Sequence, residues 1–146
     1  MSIKAVEYFL LNHWLWGMMW GIYHIPVNIL LMMLLLKVIA RFKIVPSILL
    51  AFFSKVFSVI AYALTILVLV YVVKLEFVFP KEIQSYKPIN PLLASVYLGI
   101  IYAFFQTVFF WIVSRFYSIN VGFMAMIALV SNFISAILVY KFVSFT

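Results

Sequence analysis

The chain has 146 residues, of which 69% are hydrophobic and 9% charged, against roughly 25% charged in soluble domains. A water-soluble fold of this size cannot hide so much apolar surface, and the net charge of +7 comes from Lys and Arg residues set between apolar runs without a basic stripe. The expected partner is therefore a lipid bilayer with anionic headgroups, not a nucleic acid. The absence of cysteine excludes disulfides and thiolate metal sites.

Residues 5–24 carry Glu7, Asn12, His13, Trp14, Trp16 and Trp20 with no small-residue cleavage pattern, so the N-terminal segment is expected to be retained. One straight helix over residues 5–36 would be about 48 Å long, too long for a hydrocarbon core of about 30 Å. The first span is placed at 15–36, kinked near Pro26, where a missing N–H and a ring clash interrupt one helical turn. Residues 4–14 then lie along the interface. The second choice is a helix in the membrane plane from 5 to 24.

Lys37, Arg41 and Lys43 form a basic turn, and Pro46 suits the first turn of a second span at 46–73. Residues 56–73 carry no charge and make a helix of roughly 27 Å, close to the thickness of the core. For Lys55, inside this span, either residues 46–54 form an interfacial lead-in or the side chain snorkels to the lipid headgroups along its aliphatic stem, the second being the first choice. Residues 74–90 hold most of the remaining charge and two prolines, which marks an extramembrane loop. Asn90 and Pro91 then open a third span at 91–113. It ends in Phe109, Phe110 and Trp111 before Arg115, an aromatic cluster suited to an interface. After a short turn Asn120 caps a fourth span at 120–140.

The expected fold is an all-α membrane protein, one transmembrane domain over residues 1–146. It is a four-helix bundle with a kinked first span and an interfacial N-terminal segment. Four spans put both termini on one side. The positive-inside count ties, with Lys37, Arg41, Lys43, Lys55 and Arg115 on one face and Lys4, Lys74, Lys81, Lys87 and Lys141 on the other. The concentration of the first set in short turns places it in the cytoplasm and the termini outside.

Membrane helices associate through close packing and interhelical hydrogen bonds, which favours small residues along one stripe. Gly17 and Gly21 form such a stripe, as do Ser54, Ser58, Ala61 and Thr65 in the second span. Ser95, Gly99 and Ala103 do so in the third, and Ala128, Asn132 and Ala136 in the fourth. Gln106 and Asn132 are the polar side chains at depth. Counted from the intervening turn they lie about seven and thirteen residues in, an offset of roughly 9 Å, which predicts no direct bond between them.

In a helix over residues 13–28, His13, Gly17, Trp20, His24 and Asn28 share a face. The eleven residues between the histidines separate their rings by roughly 16 Å, far more than ligands converging at about 2 Å from one zinc ion allow. No metal or cofactor is expected. With Trp14, Trp16 and Trp20 beside them, the histidines read first as interface anchors and second as part of a proton or ligand path that could include Asn28, Gln106 and Asn132.

The acidic residues Glu7, Glu76 and Glu82 all lie outside the predicted spans, and no phosphate loop or nucleophile with a base is present. The chain is expected not to be an enzyme. It reads as an accessory or scaffold subunit that works through helix contacts within a larger membrane complex. The alternative is a small homo-oligomeric channel or transporter for an ion or small solute.

Overall fold

The computed structural model describes residues 22–72 and 91–144. They form four helices, α1 (Ile22–Val38), α2 (Ile44–Tyr71), α3 (Pro91–Val113) and α4 (Val121–Ser144), with no strand among the described residues. Three segments, Ile44–Leu69, Val96–Val113 and Val121–Phe142, are long and apolar enough to cross a membrane, and α1 is a shorter apolar helix. The proposed interfacial segment 4–14, the start of the first span, the residues His13, Trp14, Trp16, Gly17, Trp20 and Gly21, and the loop 74–90 all lie outside the described residues.

The helix boundaries follow from local chemistry. Lys43 is extended, with φ −62° and ψ 155°, and α2 starts directly after it, two residues earlier than expected. Pro46 is thereby the third residue of the helix, where its missing N–H costs nothing because first-turn donors have no intrahelical partner. The Ser47 hydroxyl donates to the Lys43 carbonyl at 3.0 Å and ties down the same turn. At the start of α4, the Phe123 N–H donates to Asn120 Oδ1 at 3.0 Å, a side-chain cap of the expected kind. Asn120→Ala should cost about 1 kcal/mol of unfolding free energy, read as a lowered midpoint of thermal unfolding in detergent. At its other end α4 runs four residues past the expected limit. Lys141 does not stop it, because a basic side chain in the last turn complements the helix dipole.

Short turns join α1 to α2 and α3 to α4, and both lie at the same end of the bundle, where Phe42, Pro46, Tyr117 and Ile119 border one groove. Lys37, Arg41 and Lys43 are exposed in and beside the first turn, and Arg41 takes the left-handed φ of 56°. Arg115 follows α3, its guanidinium 4.9 Å from the centre of the half-exposed Trp111 ring. Among the described residues this end therefore holds all the cations but Lys55 and Lys141.

The interior has a polar layer between apolar ones, with Ile66, Leu98 and Val139 buried on the side away from the turns. Next to the turns, Met32, Leu36, Ala51, Phe110, Met124 and Ile127 form an apolar plug. Deeper in comes a layer of buried polar side chains: His24, Asn28, Ser54, Lys55, Ser58, Gln106, Ser131, Asn132 and Ser135. The outward faces carry Leu30, Leu64, Ile100, Phe104, Leu129 and Phe133, all exposed. An apolar exterior around a buried polar layer is unlike the polar surface of water-soluble proteins.

Small residues let the helices approach. Ala128, Asn132 and Ala136 are fully buried along α4, and Ala103 faces them from α3, while on α2 Ser54 and Ser58 are buried and Thr65 is exposed. Ser95 also lies on α3. At Gly99 the contact is closest, since a Cβ placed there would sit 3.2 Å from the Asn132 carbonyl oxygen.

Candidate functional site

Counting from the turn end of the bundle, Lys55 is eleven residues into α2, Asn132 eleven into α4 and Tyr102 eleven from the end of α3. At 1.5 Å per residue each lies about 17 Å deep. Their side chains meet there. Lys55 is fully buried and its Nζ lies 3.2 Å from His24 Nδ1, 3.1 Å from Asn132 Oδ1 and 3.9 Å from the centre of the Tyr102 ring. Two N–H donors serve the two acceptors, and a third, when present, faces the electron-rich ring.

The expected snorkelling of Lys55 is thus overturned. Its Cα lies on the stripe that α2 turns inward, between Ala51 and Ser58, both buried. From that position the side chain has no route to a headgroup except through packed helices.

The network then spreads over all four helices. His24 Nε2 lies 3.4 Å from the Asn132 carbonyl oxygen. With Nδ1 facing Lys55, this pairing assigns the proton of a neutral ring to Nε2. Asn132 Nδ2 donates to Gln106 Oε1 at 2.6 Å and to the Ala128 carbonyl at 2.7 Å. Gln106 Nε2 in turn donates to Asn28 Oδ1 and to Ser54 Oγ, each at 3.3 Å. Asn28 Nδ2 reaches Ser131 Oγ at 3.2 Å and Ser135 Oγ at 3.4 Å. Every amide oxygen and nitrogen of Asn28, Gln106 and Asn132 has a protein partner, the condition for polar groups to be tolerated at depth.

The direct Asn132–Gln106 bond corrects the expectation that their offset would keep them apart. Helical side chains lean toward the N-terminus of their own helix. Because α3 and α4 run antiparallel, Gln106 leans away from the connecting turn and Asn132 leans toward it. Counting Cα levels leaves out that lean and the length of the Gln side chain.

No protein-family model, curated protein or solved structure matches the chain. The reading of the site rests on its own geometry.

Of the residues proposed for a ligand or proton path, the structure brings His24, Asn28, Gln106 and Asn132 into one cluster; His13 lies outside the described residues. Among the described residues no group of His, Cys, Asp or Glu side chains could hold a metal ion. Several members of the cluster were not singled out from sequence: Tyr102, Ser131, Ser135 and, as a polar partner, Lys55. A signal existed for Tyr102, which stands three residues after Gly99 and four before Gln106, on the face of α3 already marked by both. Tyr102 also carries the cluster outward, since its ring lies 5.7 Å from those of His24 and Tyr62. Farther from the turns Ile66, Leu98 and Val139 are buried, so apolar side chains bound the polar layer on both sides.

Proposed function

We propose that the chain is a multi-pass integral membrane protein that acts as a non-catalytic accessory or scaffold subunit, through the outer faces of its helices. The observation that carries this reading is the combination of an apolar exterior with a buried polar layer whose hydrogen bonds close on one another. Hydrocarbon solvates the first, and the second links four helices that lipid alone would not drive together. Placed in a core about 30 Å thick, the Lys55 cluster sits near the midplane, where each misregistered helix would leave polar groups unpaired. A buried polar network of this kind fixes one alignment of the helices. A fixed bundle offers partners a constant surface.

The experiment is purification from membranes in a mild detergent, followed by gel filtration and reconstitution into liposomes. The scaffold reading expects a second membrane protein at fixed stoichiometry and no ion or solute flux from the chain alone. A discrete homo-oligomer that passes ions would replace it with the channel or transporter reading. One observation favours that second reading: Lys55 is hydrogen-bonded to His24, and ring contacts continue from His24 to Tyr102 and Tyr62, a row of titratable groups at depth.

A further inference from the structure

On the outer side of α2 an apolar groove of about 750 Å³ runs down from the turn end. Its floor is Pro46, Leu49, Leu50, Phe53 and Ile60, a single stripe of α2. Its other wall is short, made of Phe109 and Val113 from the end of α3 and Ile119 from the following turn. The rings of Phe57 and Phe109, 5.7 Å apart, join the two walls. From Pro46 to Ile60 the stripe is about 21 Å long, whereas the tails of one leaflet fill about half of a 30 Å core. The groove therefore has the length and lining for one acyl chain.

Its mouth has a charge to match. Phe42 and Tyr117 stand at the mouth. Arg41 and Lys43 flank Phe42 in the chain, Arg115 lies between Val113 and Tyr117, and all three cations are exposed. No Asp or Glu occurs among the described residues, so nothing described in the bundle neutralises this end. A surface with apolar length below and uncompensated cations above complements a lipid whose headgroup is an anion.

We propose that the groove is a specific site for one acyl chain of an anionic phospholipid, its phosphate held by Arg41, Lys43 and Arg115. This rests on the membrane reading above and is independent of whether the protein is a scaffold or a channel. The full chain in neutral detergent is titrated with phosphatidylglycerol, with phosphatidylcholine of the same acyl chains, or with inorganic phosphate, and the unfolding midpoint is followed. Phosphatidylglycerol should raise Tm by about 5 °C more than phosphatidylcholine, and phosphate alone should not. Two variants that leave the polar core untouched, Leu49→Trp, which fills the groove, and Lys43→Gln with Arg115→Gln, which removes the charge, should each abolish that difference. Equal response to both lipids overturns the proposal, and so does a phosphate effect as large as that of phosphatidylglycerol. A disulfide between copies of Phe53→Cys in membranes would also overturn it, by showing that a second copy covers the groove. Failure of the chain to enter liposomes at all would instead strike the membrane reading.

Discussion

Asn132→Leu is expected to lower the unfolding free energy by about 3 kcal/mol, the largest loss from any single change in the polar core. The substitution leaves Gln106 Oε1 without its 2.6 Å donor and Lys55 Nζ without its amide acceptor, both buried where water cannot replace them. Lys55→Met should cost less, about 1 kcal/mol. It strands acceptors on His24 and Asn132 but also removes the nitrogen whose burial is the most costly in the bundle. The comparison is made by reversible unfolding in mixed micelles. The double variant separates a network from independent contacts: its loss should be close to that of Asn132→Leu alone. Losses that simply add would show that Lys55 and Asn132 do not act together.

Gly99→Leu is expected to have the second largest effect, a loss of roughly 2–3 kcal/mol. The Cβ alone would meet the Asn132 carbonyl oxygen at 3.2 Å, closer than side chains ordinarily pack, and the obstruction is helix backbone that cannot rotate aside. The remaining atoms of Leu would force α3 and α4 apart at the level where Asn132 receives its other bonds. Gly99→Ala asks for a shift of only a few tenths of an ångström and should cost about 1 kcal/mol. A graded loss from Gly to Ala to Leu, measured in the same micelles, is the signature of close approach. Equal stability of all three would mean that the helices are not in contact at Gly99.

The sequence announces its helices more clearly than their contacts. The Asn120 cap marks a helix start through chemistry local to a few residues, and the structure begins α4 directly after it, at Val121. Apolar runs of membrane length likewise need no knowledge of neighbours. The inward face of α1 was legible as far as His24 and Asn28, because spacing by four holds on any helix. What the sequence does not carry is the direction a long side chain takes when two routes exist. A lysine near a span's end suggests a reach for headgroups, a habit of lysine in general, whereas the place of Lys55 between Ala51 and Ser58 turns it inward. The Asn132–Gln106 bond was missed for a related reason. Its partners are 26 residues apart, and their meeting depends on the antiparallel lean of two helices, which no single helix encodes. Ser131 and Ser135 gain their roles only once Asn28 is known to face α4.

The cluster also bears on how the bundle assembles. Its members come from α1, α2, α3 and α4, and the bonds join residues as far apart as His24 and Asn132. No pair of adjacent helices can complete it, so the polar core closes only when all four are in place. The apolar plug at the turn end is more local, since Met32 and Leu36 meet Ala51 across a short connection.

Lysine reactivity tests the buried polar core most directly. The full chain in neutral detergent is treated with a water-soluble acylating reagent, digested and read by mass spectrometry, with a denatured sample as the reference. Lys37, Lys43 and Lys141, all exposed, should be modified in the folded protein, and Lys55 should be modified only after denaturation. Modification of Lys55 in the folded bundle at the rate of Lys37 and Lys43 would show an amine at the headgroup level, and the account of a polar core centred on it would fail.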